Sequence, residues 1–153
     1  MNMPRPLVAI VAGFFTSVFL VMAYQMAFVV ALVAHDPRFA EATAGSLELP
    51  PSLVAVTLMA DACCAIVGGI VTAWIAADSP RRSVLILAAI HFIGSLASVM
   101  TDPSPMYPAW LHATRAVLNL LALLVVGWIA ERLAQRRQKL PGPDVDTTTT
   151  APL

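Results

Sequence analysis

The stretch Asp61–Ala77, DACCAIVGGIVTAWIAA, decides the fold. It lies inside a long apolar run, Ser52–Ala77, and carries an acidic residue at what would be membrane depth. Read at a spacing of four, it holds two neighbouring rows of small side chains. Asp61 heads the row Ala65, Gly69, Ala73, Ala77, and beside it runs the row Cys64, Gly68, Thr72, Ala76. In lipid, small residues let helix backbones approach closely, and a carboxyl at depth needs a partner. The stretch therefore predicts the central helix of a small membrane bundle, with Ala65, Gly68, Gly69, Thr72 and Ala73 as its packing residues.

Composition points the same way. The chain has 153 residues, of which 59% are hydrophobic and only 12% charged, and its mean hydropathy is +0.80. A soluble domain averages about 25% charged residues. With apolar runs of about 20 residues, that deficit places the chain in a lipid bilayer. The formal net charge is zero, which argues against a nucleic-acid partner. Cys63 and Cys64 are adjacent in a predicted helix, a spacing that suits neither a metal site nor a disulfide framework, so both read as small buried side chains.

Four apolar segments follow one another, Leu7–Ala34, Ser52–Ala77, Ser83–Met100 and Pro108–Ala130. Each can span a hydrocarbon core of about 30 Å, the third only if it stands nearly upright. The first follows Arg5, but it is about twice as long as the apolar core of a signal peptide and ends in no A-x-A site, so it reads as an uncleaved helix. Pro50–Pro51, Ser79–Pro80, and Asp102 with Pro103, Pro105 and Pro108 punctuate the segment ends. Trp74 and Trp128 fall near one interface, and Tyr107 and Trp110 near the other. Arg5, Arg81, Arg82, Arg132, Arg136, Arg137 and Lys139 gather on one side, so the positive-inside rule puts both termini in the cytoplasm. The basic run ERLAQRRQK sets this topology and suits anionic headgroups. The loop 35–51 then faces outward, with room for one short helical turn. The tail, 140–153, is rich in Pro and Thr and predicts disorder.

A rise of 1.5 Å per residue gives depths. Asp61 lies about 13 Å below the outer edge, Arg115 about 10 Å, Gln25 at a similar level, and His91 and Asn119 about 15 Å. Five polar side chains from four helices thus fall in one layer. On the third helix His91, Gly94, Ser95 and Ser98 share a face opposite Ile86, Ile90, Ile93 and Met100. On the fourth, His112, Arg115 and Asn119 stack at spacings of three and four. On the second, Met59, Ile66, Ile70 and Trp74 point away from Asp61. The functional reading is a polar or proton-binding site, with Asp61 titrating and Arg115 as counter-ion or anion ligand. The structural reading is an Asp–Arg pair that holds helices two and four in register, or an Arg115 that snorkels to the headgroups. His91 and His112 differ in depth by about 9 Å, which argues against haem between them and leaves His112 at the interface. No GxSxG, HExxH or phosphate-cradling loop is present.

The second half of the chain resembles a group of small bacterial four-helix inner-membrane proteins with no established activity. The likeness rests on VGGIVTAWIAADSPRRS, MYPAWLHA and VVGWIAERLAQRR. The group often has a histidine just after the cytoplasmic turn, where this chain has Ser83 or Val84. The resemblance implies architecture and location and no chemistry. Small four-helix multidrug exporters differ, because they carry their essential acid in the first helix and this first helix has none.

The expectation is an all-α integral membrane four-helix bundle, one domain over residues 1–139, with helices at about 7–34, 52–77, 83–100 and 108–132. Its function reads as that of a non-enzymatic subunit or accessory protein packing through helix two, on itself or on a membrane partner. The alternative is an oligomeric transporter component built on the cluster Asp61, Arg115, Gln25, His91 and Asn119. Neither reading needs a cofactor or a metal.

Overall fold

A computed structural model describes residues 5–35, 50–101 and 109–139. They form four helices, α1 (Arg5–His35), α2 (Pro51–Ile75), α3 (Pro80–Thr101) and α4 (Ala109–Lys139). All four are long and apolar enough to cross a membrane by length and composition. The expected turn within 35–51 would fall in 36–49, outside the described residues. So do the break at Asp102, Pro103, Pro105 and Pro108, the aromatic Tyr107, and the tail 140–153.

Every helix differs from its expected bounds by at least one residue, and three of the ends have a local cause. Helix α2 stops at Ile75, where Ala76 caps it by donating its N–H to the Thr72 carbonyl. Ser79 N–H then donates to Ala76 O at 3.0 Å and closes a tight turn. Helix α3 starts at Pro80, three residues before the expected Ser83, because a proline at the first helical position has no N–H to leave unpaired. Helix α4 continues past 132 to Lys139, since ERLAQRRQK contains strong helix formers and no Gly or Pro.

Helix α2 touches α1, α3 and α4, and α3 also touches the other three, while α1 and α4 make no contact among the described residues. The α1–α2 contact is a reciprocal clasp between antiparallel helices. A Cβ added to Gly13 would strike Thr72 Oγ1, with the Gly68 carbonyl oxygen 2.5 Å away. A Cβ added to Gly68 would strike Ser17 Oγ, with the Gly13 carbonyl oxygen 2.6 Å away. The hydrogen that each glycine carries in place of Cβ therefore points at the other's carbonyl, the weak Cα–H···O contact of close helix crossings. Both hydroxyls are satisfied within their own helices. Ser17 donates to Gly13 O at 3.1 Å and Thr72 to Gly68 O at 2.9 Å, so neither is left bare in an apolar setting.

Gly69, one residue on, faces α4 instead. A Cβ there would lie 2.7 Å from Leu123 Cδ2 and 3.2 Å from Val126 Cγ1. The buried core around this contact is Ala65 of α2, Val84, Leu87 and Ala88 of α3, and Leu123 and Val126 of α4. The opposite face of α2 is exposed at Met59, Ile70 and Trp74, but Ile66, expected with them, is half-buried against the core. Ile86, Ile90, Ile93 and Met100 form the exposed face of α3. Two expectations fail here. Gly94 is exposed, with nothing within 4 Å of an added Cβ, although His91 and Ser95 on either side are half-buried. Cys63 is exposed rather than buried, since it belongs to neither small row, and Cys64 is half-buried.

The clasp makes a direct prediction. Gly13→Leu or Gly68→Leu forces backbones apart and should cost at least about 3 kcal/mol, the upper range for overpacking. Ile70→Leu, on the exposed face, should change stability by less than about 0.5 kcal/mol. Thermal unfolding of the three variants in detergent measures this, and equal tolerance at all three positions would rule the clasp out.

Candidate functional site

Helix α2 carries Asp61 on the same face as Ala65 and Gly69, so the close approach at Gly69 brings the carboxyl to α4. The two helices run in the same direction. Asp61 meets Arg115, 54 positions on, and Gly69 meets Leu123 at the same offset. Depth is therefore matched along two turns of helix. Arg115 Nε donates to Asp61 Oδ2 at 2.5 Å, and Arg115 Nη2 approaches the same oxygen. The Asp61 side chain is 2% exposed and that of Arg115 is 27% exposed. The carboxylate is thus enclosed while the guanidinium reaches toward the bundle surface. This geometry combines a buried pair with a long cation that keeps part of its surface free.

Asn119 lies one turn along α4 from Arg115 and is 7% exposed. Asp61 Oδ1, Asn119 Oδ1 and His91 Nε2 are buried with no hydrogen-bond partner among the described residues. A carboxylate with one oxygen held and one open can accept a proton, a water or a donor group of a ligand, and the open carboxamide oxygen of Asn119 can also accept a donor. Three acidic, histidine or cysteine side chains in metal-holding geometry do not occur among the described residues.

The remaining expected residues fall in different places. His91 of α3 is half-buried and packs its ring against Phe14 of α1, with centroids 5.7 Å apart. Ser95 and Ser98 are half-buried near it in sequence, with Ser98 Oγ donating to Ser95 O at 2.7 Å. Gln25 does not join the cluster. It is exposed on α1, which makes no contact with α4, so its depth matches but its direction does not. His112, expected at the interface, is buried in the bundle because it shares the inward face of α4 with Ala116 and Asn119. Of the five cluster residues, Asp61 and Arg115 meet directly, and Asn119 lies one turn from Arg115 on α4.

One residue and one row escaped the sequence reading. Thr57, one turn from Asp61, is buried and donates to Leu53 O at 3.0 Å. The row Ala9, Gly13, Ser17 supplies the α1 side of the clasp, and its signal was the same spacing of four found in α2.

Removing one charge leaves the other buried and uncompensated. Asp61→Asn or Arg115→Gln alone should cost about 3 kcal/mol, the lower end for buried pairs because Arg115 is partly exposed. The double variant should recover at least half of the summed loss. Thermal unfolding of both single variants and the double gives the coupling, and purely additive losses would exclude a stabilising pair.

Comparison of the chain with protein-family models, curated proteins and solved structures finds no match in any of the three.

Proposed function

We propose that the chain is a multi-pass protein of a bacterial inner membrane, with both termini cytoplasmic, serving as a non-enzymatic subunit or accessory protein. The observation that carries this reading is the Asp61–Arg115 pair, which ties α2 to α4 and uses the one acid at depth for architecture. The hydroxyls of Thr16, Ser17, Thr57, Thr72, Ser98 and Thr114 donate to carbonyls of their own helices, which supports a structural use for them. Orientation rests on charge. The start of α1, the turn between α2 and α3, and the end of α4 carry Arg5, Arg81, Arg82, Arg132, Arg136 and Arg137. Both small rows of α2 are engaged inside the protomer, so an assembly through this helix uses its exposed face, around Met59, Ile70 and Trp74.

A second reading is an oligomeric transporter component, with Asp61 as the proton or ligand site and Arg115 as counter-ion. It is favoured by the buried Asp61 Oδ1 and Asn119 Oδ1, both open to a donor.

A reporter fused after Lys139 should be active only in the cytoplasm, and one inserted near Ala44 only outside; an external C-terminus rejects the orientation. Proteoliposomes containing a pH-sensitive dye separate the two functions. The accessory reading expects no proton flux from the wild type. A flux lost in Asp61→Asn and not restored by the double variant would establish the transporter reading.

A further inference from the structure

Two cavities at the basic end of the bundle share walls. The larger, about 870 Å³, is a groove between α2 and α4. Its floor includes Ala62 and Ala73 of α2 and Ala122 and Ala130 of α4, and its rims include Ile70, Trp74, Leu121 and Val125. Along α4 it runs from Leu118 to Arg137, a span of about 28 Å at 1.5 Å per residue. That exceeds one hydrocarbon leaflet, about 15 Å or half of a 30 Å core. The second cavity, about 590 Å³, lies at the turn between α2 and α3. It is lined by Asp78, Ser79, Arg81, Arg82, Glu131 and Gln135. Ala77, Pro80 and Ala134 line both, so the apolar groove and the polar cavity adjoin at these residues.

The charges in this combined space are uneven. Arg81 Nη1 donates to Glu131 Oε2 at 3.0 Å, which accounts for one cation and one anion. Arg82 in the cavity and Arg137 at the end of the groove then face a single further carboxylate, Asp78. Ser79 and Gln135 add neutral hydrogen-bonding groups to the wall. An apolar trough of at least leaflet length, ending in surplus positive charge, matches an amphiphile with a negative head. A second copy of this chain suits the groove less well. Copies in one membrane share an orientation, so a two-fold contact along the groove would bring Arg137 toward its own counterpart.

We propose that the α2–α4 groove and the cavity at the α2–α3 turn together seat one anionic phospholipid, its acyl chains along the alanine floor and its phosphate against Arg82 and Arg137. The site rests on the membrane reading above, and it adds a specific ligand to a protein otherwise in contact with bulk lipid. Basic pockets between transmembrane helices recognise headgroups in this way, each cation contributing about fivefold in affinity near the surface.

The full chain is reconstituted in nanodiscs of phosphatidylcholine with graded phosphatidylglycerol, and retained lipid is counted by native mass spectrometry after release. Wild type should retain one phosphatidylglycerol in preference to phosphatidylcholine. Arg82→Gln and Arg137→Gln should each weaken retention about fivefold. Arg136→Gln, equally basic and at the same end but lining neither cavity, should leave it unchanged. Ala122→Phe, which fills the groove, should abolish retention while circular dichroism reports an intact helical bundle. Equal retention of the two lipids overturns the proposal, as does equal weakening by all three arginine variants, the signature of a diffuse surface charge. Resistance to alkaline extraction, measured in parallel, tests membrane insertion separately. Loss of the protein to the soluble fraction sinks the membrane reading, and retention in the membrane without lipid selectivity sinks the lipid site alone.

Discussion

In the membrane reading proposed above, apolar helices in hydrocarbon have no hydrophobic drive to associate, so association depends on how closely their backbones can come. Here that closeness is concentrated at two adjacent residues of α2. Gly68 admits α1, and Gly69 admits α4. Successive residues on a helix point about 100° apart. Helices α1 and α4 therefore leave α2 in directions about 100° apart, which accounts for the lack of contact between them. Helix α3 occupies the inside of this corner and touches all three others, its Val84, Leu87 and Ala88 completing the core.

The polar contacts follow from that arrangement. Because α2 and α4 meet at Gly69 and Leu123, residues eight positions earlier on each helix meet at the same level, and these are Asp61 and Arg115. The ion pair is thus placed by packing, and it in turn fixes the register that the packing needs. At the other end, Arg81 and Glu131 connect α3 to α4, but with side chains 58% and 35% exposed. Exposed pairs of this kind contribute little beyond orientation. Arg132 lies over the Trp128 ring, 5.3 Å from its centroid, which orders the emerging end of α4.

Much of this was legible in the sequence. Four apolar segments, their proline punctuation and the two small rows of α2 gave the helices and the close-packing element. A constant rise per residue put Asp61 and Arg115 at nearly one depth, and the structure pairs them. Direction around the helix axis was harder to read. A soluble helix betrays its buried face by polarity, whereas a membrane helix is apolar on nearly every side. The expectation therefore missed that Gln25, at the right depth, points away, and that Gly94 and Cys63 are exposed. It is also why the rows could be found but not assigned, one to α1 and the other to α4. The α1 row Ala9, Gly13, Ser17 had the same spacing but no acidic residue to draw attention to it.

The 54-residue separation of Asp61 and Arg115 also sets an order of events during synthesis. In the membrane reading proposed above, α2 leaves the ribosome before α4. At 5–20 residues per second, Asp61 precedes its guanidinium by about 3–11 s. Throughout that interval a newly made α2 holds a carboxyl with no cation to meet it. The nascent helix must keep that group protonated, or keep it near water at the insertion machinery, until α4 arrives. The bond that locks α2 to α4 can thus form only once α4 has begun to emerge, just ahead of the Gly69–Leu123 contact and the Arg81–Glu131 pair, which need residues made later still.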